Sequence, residues 1–563
     1  MGSRVRASRA VALGLSFACV AAIAAVALQA QPPQRNATPV AVDEIKDARL
    51  RADIQFLSSD LLEGRAPSTR GGQLAAEFIA TRFAKIGLAP GAPDGTYFQP
   101  VTVVESKIDP AVSLAVTGGT GAADRLTYLT DMVAFSGLEQ PTVNVDADLV
   151  FVGYGINAPE QRWNDYAGAD VKGKVVVALV NDPPAPAAEP GLFGGPALTY
   201  YGRWTYKFEE AARQGAAGAV LIHTTESASY PWQVVQSSWS GTQYSLPPEP
   251  GAPALALKAW VTEEAARKIA VRAGQDLDAL RKAASVRGFQ AVPLPVHVTA
   301  TLSLQQNRRT SPNVIGVLAG TNAAQAVVYT AHYDHFGIKD PAPGLAADAD
   351  RIYNGAVDNA SGVAGLLALA EAFARAKGKP GRSIYFVSTT AEESGLLGSE
   401  YFARNPPRPM TDFAANINVD SMNVLGPTRD MVLLGAERST IGPAAAALLA
   451  AHGRELGVDP APGSGYFFRS DHFPLAKAGV PAVSLSEPGK YVGKDPAFAK
   501  QQLDDYTNHR YHQPSDEYDP KWDLSGAVED LKVLAELGWQ LAAAPAMPTY
   551  NKSEQFAQPR LPK

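Results

Sequence analysis

Cysteine is almost missing from this chain: the single one among 563 residues, Cys19, lies in an apolar run near the amino terminus. Downstream of that run no intramolecular disulfide can form and no thiol can serve as nucleophile, so stability has to come from packing. A block of positive charge is also lacking. With 50 basic and 56 acidic residues the net charge is −6, spread along the chain, which excludes the electrostatic footprint of a nucleic-acid-binding protein. There is no HExxH, no GxSxG nucleophile elbow, no P-loop and no GxGxxG after a strand. The familiar single-helix zinc, serine and nucleotide chemistries have no foothold. Repeats at solenoid or propeller periods are absent as well.

What is present is ordinary globular material: 46% hydrophobic, 19% charged, mean hydropathy −0.09. At about 150 residues per domain the length implies two to four domains. Arg4, Arg6 and Arg9 precede the apolar run at 11–28, and Ala25-Val26-Ala27 or Leu28-Gln29-Ala30 offer small-residue cleavage points. This predicts a signal peptide over 1–27 and a periplasmic or secreted product with no stable membrane insertion once it is removed. Gly14 and Ser16 interrupt a run already at the short limit for a spanning helix. Cleavage would take three arginines and no acid, moving the net charge from −6 to −9.

Residues 73–86 carry apolar positions at helical spacing, with Gly87 placed for a left-handed cap. Near residue 147 the pattern changes. Apolar runs at 148–152 and 174–180, a helix at 204–213 and a run at 219–222 predict a small β-rich module over 147–292. It is inserted between an N-terminal part, 28–146, and a catalytic part, 293–545, which a loose tail follows at 546–563. Beyond residue 313, strands at 314–318, 327–330, 384–388, 414–419 and 480–485 alternate with helices such as 362–376. That order predicts an α/β fold with a mostly parallel sheet flanked by helices.

Potential ligands cluster after these strands. His332 and Asp334 follow the strand ending at Ala331, Glu392 and Glu393 follow 384–390, and Asp420 follows 416–419. The carboxyl edge of an open α/β sheet is where sites are built. Singly, each acid reads as a helix cap or a solvated loop residue. Asp358, in NGAVDNASGVAG, reads as a cap for the helix after it, a task shared with Asn359 and Ser361 that needs only one of them. His512, in YHQPSDEYDP, reads alone as a packed or surface residue. Together, two imidazoles and three carboxylates suit a pair of zinc ions that share one carboxylate, with a bridging hydroxide closing the charge balance. Glu392 is then left over beside Glu393 and becomes the candidate general base, since neighbouring residues in extended chain point different ways. His335, His472 and His509 are expected to support the ligands from behind or to pack near the motifs rather than to bind metal themselves, while His223, His297 and His452 receive no role.

AHYDHFG, NGAVDNASG, TTAEESGLLGS, NINVDSMN, RSDHFPLAKAGVPAVSL and YHQPSDEYD, in that order, resemble the two-zinc aminopeptidases of metallopeptidase family twenty-eight. LSSDLLEGRAPSTRGGQLAAEFI adds to the likeness. FVGYGINAP, DVKGKVVVALVNDP and EEAARQGAAGAVLIH make 147–292 similar to a protease-associated domain. The resemblance implies a zinc-exopeptidase-like fold, two zinc ions and peptide substrates attacked at a free amino terminus by a metal-activated water. It implies that His332 and Asp420 hold one ion, Glu393 and His512 the other, and that Asp358 bridges them. Glu392 would be the base, Asp334 would orient His332, and Tyr511 would donate to the developing oxyanion. Two alternatives stay open: a carboxypeptidase or dipeptidase on the same scaffold, told apart by which terminal blocking group protects a peptide, and a binding protein with a silent metal site.

Overall fold

The computed structural model describes residues 38–119, 122–339, 346, 348–552 and 554–557. The expected signal peptide and its cleavage points lie outside these. The described residues from Pro39 onward form one compact unit that holds two large sheets and two two-stranded ones, Gly337–Ile338 with Ile352–Tyr353 and Asn157–Ala158 with Trp163–Asn164.

Four parallel strands, Arg382–Thr389, Asn322–His332, Phe413–Val419 and Ala482–Ser486, form the centre of the larger sheet in that spatial order. Antiparallel strands close both sides: Val292–Leu318 pairs with Arg382–Thr389, and Asp430–Leu434 pairs with Ala482–Ser486. The sheet is thus parallel where the predicted ligands sit and mixed at its margins.

Side chains alternate across the sheet as the two-residue strand period requires. Val327, Tyr329 and Ala331 enter one core with Ile384 and Phe386, while Ala326 and Val328 enter the opposite one with Tyr385 and Val387. The first face is covered by helices Asp47–Leu57, Arg70–Ile86, Gly362–Ala374 and Ser525–Ala543, the second by Leu397–Arg404 and His472–Lys477. Gly362–Ala374 is buried along nearly its whole length, which explains why it is apolar all round. Arg70–Ile86 begins at Thr69, whose side chain accepts from Gly72 N–H, and ends at Gly87 with φ 87° as its spacing predicted.

The smaller sheet combines Thr142–Phe151, Val175–Leu179, Gly218–His223 and Leu257–Thr262 in parallel. It also takes in Ser113–Gly118, Asp124–Leu126 and Met132–Phe135, all upstream of residue 147. The expected boundary at 147 therefore falls inside a strand. Its partner boundary near 293 falls at the start of Val292–Leu318, a strand that pairs first in the small sheet and then, from Leu304, in the large one. A 27-residue strand serving two sheets leaves no linker to mark a border.

The expected loose tail also differs in part. Tyr550 donates to Val480 O at 2.7 Å, Glu554 pairs with Arg438 and Phe556 packs on Phe473, so two aromatics pin a segment that composition alone made look free. Among the described residues no helix is long and apolar enough to cross a membrane.

Candidate metal centre

Register sets the site. In the parallel core His332 is level with Thr389, and Thr330 with Asn418, so the residues just past three strand ends, His332, Glu392–Glu393 and Asp420, arrive at one edge. The turn conformations are specialised. Ala391, Ser421 and His512 have φ of 54°, 71° and 57°, a left-handed backbone that non-glycine residues adopt rarely and that clusters at functional sites.

Asp358 reaches the same edge from the loop before Gly362–Ala374. The question of which residue caps that helix is settled by Asn359, whose Oδ1 accepts from Gly362 N–H at 2.9 Å and from Ser421 N–H at 2.9 Å. Asn359 also donates to Val419 O at 3.0 Å, tying the Asp358 loop to the Asp420 loop and leaving the Asp358 carboxylate free. Asp516 holds the loop from below, its carboxylate accepting from the N–H groups of Val357 and Asp358 at 3.1 and 3.0 Å. Fully buried Arg65 donates to the carbonyls of Leu57, Tyr333, Asn354 and Gly355, clamping the segment after His332 to the one before Asp358.

The structure brings His332, Asp358, Glu392, Glu393, Asp420 and His512 together. His332 Nε2 is 3.1 Å from Asp420 Oδ1 and 3.2 Å from Asp358 Oδ1. His512 Nε2 is 3.2 Å from Glu393 Oε2 and 3.5 Å from Asp358 Oδ2. One carboxylate thus turns a different oxygen to each imidazole, and each imidazole has a second acid of its own. Ligands of a tetrahedral ion bound at about 2.0–2.2 Å stand about 3.3–3.6 Å apart, so these separations fit a cation at each end of Asp358. Glu392 Oε2 is 3.9 Å from His332 Nε2, outside both close pairs.

Among the described residues donor atoms come mutually close in two groups, His332 with Glu392 and Asp420, and His335 with Asp358 and Glu393. His335, expected to support a ligand from behind or to pack, is buried with its Nδ1 against Glu393 Oε1. No periodicity signals this. Its neighbours in AHYDHFG simply hide it.

Asp334 behaves differently from what the resemblance implies. His332 Nδ1 contacts the Asp334 main-chain carbonyl at 3.2 Å, while the Asp334 carboxylate lies 3.8 Å away and accepts from Glu392 N–H at 3.0 Å. Its side chain therefore steadies the Glu392 turn. Tyr511 stacks on His512 with ring centres 3.7 Å apart and lines the same cleft as Glu392.

So many buried acids cannot all hold charge without positive partners. Burial raises Glu392 well above the usual carboxylate range, His332 opposing this and Asp420 and Glu393 adding to it. Burial also pushes Asp358 up, but the imidazoles of His332 and His512 outweigh it and hold that carboxyl well below its ordinary value. Asp334 is pushed up to about 7, chiefly by burial. Burial thus raises Glu392 and Asp334, while Asp358 is held as a carboxylate between the two imidazoles. The cleft above it, about 140 Å³ in volume and open to solvent, is walled in part by Tyr230, Tyr466, Arg469 and Glu487. Burial raises Glu487 to about 7. It lies after the strand Ala482–Ser486, a position the sequence reading left without a role.

Residues 313–535 match the family model described as peptidase family M28. The fold is similar to an aminopeptidase from Aneurinibacillus sp. strain AM-1, with 19% identity and a TM-score of 0.50 over 90% of this chain and 96% of that one. Other matches include a zinc aminopeptidase from Bacillus subtilis (19% identity, TM-score 0.43, 88% and 95% covered) and a peptidase M28 precursor from Shewanella amazonensis SB2B (18%, 0.44, 90% and 98%). No curated protein sequence matches. Every residue of the cage, from His332 to His512, falls within the segment, residues 313–535, that matches the model of peptidase family M28, and the fold around it is that of a solved aminopeptidase.

Proposed function

We propose that this protein is an exported zinc aminopeptidase that removes residues from the free amino terminus of peptides. The observation that carries the reading is the divided carboxylate of Asp358, one oxygen toward His332 and the other toward His512, with Glu392 outside both pairs. His332 and Asp420 would hold one zinc ion, Glu393 and His512 the second, and Asp358 both. When bound, such ions acidify water and polarise a carbonyl. The chain's own contribution is proton traffic and placement. Glu392, outside both close pairs, would take a proton from the attacking water and deliver it to the leaving amine. Tyr511, fixed over His512, would donate to the oxygen on which charge develops. The carboxylates facing the cleft suit a free ammonium group, which supports cleavage at the amino terminus. The sheet containing residues 147–292 is read as a protease-associated domain, and the leader at 1–27 as the export signal.

Glu392→Gln should keep its zinc and lose turnover by roughly 10²–10⁴-fold, measured as metal content and aminoacyl-anilide hydrolysis on the same sample. Normal turnover would remove Glu392 from its role. Peptides blocked by N-acetylation should resist cleavage while C-amidated ones are cut; the opposite pattern would make the enzyme a carboxypeptidase.

A further inference from the structure

The second sheet's module reaches into the metal centre. Its helix Trp232–Ser238 ends with Ser238 Oγ 2.9 Å from Nδ1 of His512. The other ring nitrogen of His512, Nε2, faces Glu393 and Asp358. A nitrogen aimed between carboxylates that share a cation must present its lone pair, so the ring proton belongs on Nδ1 and Ser238 Oγ accepts it. Ligand imidazoles are commonly held in this way by an acceptor on the far nitrogen, which fixes tautomer and ring orientation.

The helix end is anchored for that task. Lys339 Nζ donates to the carbonyls of Ser237 and Ser240 while lying 4.1 Å over the ring of Phe336, and Phe336 packs edge-on against His512 at 4.7 Å. Tyr244, just beyond, donates to Pro67 O at 2.8 Å, and Thr242–Ser245 pairs with Phe98–Ile108 of the larger sheet. Arg469 donates to Ala228 O and Ser229 Oγ, on the segment leading into this helix.

Resting on the zinc reading above, we infer that Ser238 is a positioning residue of the metal centre: the inserted module supplies the acceptor that holds His512 in its metal-binding tautomer. The module thereby acts as part of the catalytic apparatus as well as a wall of the cleft.

The test is a competition titration of zinc against a chelator of known affinity, on the full chain and on Ser238→Ala and Ser238→Thr, with melting temperatures in parallel. In Ser238→Ala one of two zinc ions should bind about 10–100-fold more weakly, the other unchanged, with the melting temperature of the metal-free protein preserved. Ser238→Thr, which keeps the hydroxyl, should restore affinity, and excess zinc should restore the turnover of the alanine variant. A wild-type chain with two tight zinc ions and an alanine variant within twofold at both would overturn the inference alone. A wild-type chain that takes up no zinc would overturn it together with the zinc reading.

Discussion

Gly355 sets how closely the Asp358 loop can fold on itself. Its φ is 53°, and a Cβ there would stand 2.1 Å from the Asp358 carbonyl and 2.7 Å from the His335 ring. Gly355→Ala should therefore displace Asp358 and weaken zinc binding on the order of 10–100-fold, read by chelator competition. Arg65 acts at the same scale by a different route. Replacing it with Met would remove the donor from the buried carbonyls of Leu57, Tyr333 and Asn354, each worth about 1–3 kcal/mol when unpaired, while Gly355 O keeps the N–H of Ala360. Arg65→Met should lose several kcal/mol in denaturant unfolding and lose zinc with it; unchanged stability would mean the clamp is incidental. Ligand types at strand ends can be read along a chain because each is adjacent to the strand that delivers it. Arg65, Asp516 and Ser238 cannot be read that way, since each finds its partners hundreds of residues away or across a turn.

At the scale of elements, the parallel strands were legible from their apolar runs, and register then carried their ends to one level. The antiparallel margins were not, because an apolar run says nothing of direction. The helix Gly362–Ala374 shows the same divide: its position was plain, but that Asn359 rather than Asp358 caps it depends on the backbone after Val419. Helix His472–Lys477 gives a prediction in pH. Burial depresses its first residue, His472, from 6.5 to about 3. Below pH 6.5 the unfolded chain takes up a proton that the folded chain refuses until about pH 3, so the unfolded state binds more protons and stability falls as pH drops through that window. Above pH 6.5 the effect vanishes. Melting temperatures between pH 7 and 4 should fall less steeply for His472→Phe than for the wild type; parallel curves would show that the imidazole is not kept neutral.

The molecule as a whole is organised by the strand Val292–Leu318, which leaves one sheet and enters the other without a break. No change in composition marks the passage from one sheet to the other, so the sequence does not signal that strands within 113–135 pair in the smaller sheet. The same continuity lets a helix of the smaller module stand over His512. On this reading the two sheets cannot be separated without losing the metal centre, and a chain lacking 113–291 should neither hold two zinc ions nor cleave peptides, whatever its folded content by circular dichroism.

The central claim is that Asp358 lies between two cations. Crystals of the zinc-loaded chain, measured on either side of the zinc absorption edge, test it most directly. Two anomalous peaks should flank the Asp358 carboxylate, one beside His332 and Asp420, the other beside Glu393 and His512. A single peak, or peaks that leave Asp358 bound to neither ion, would contradict it.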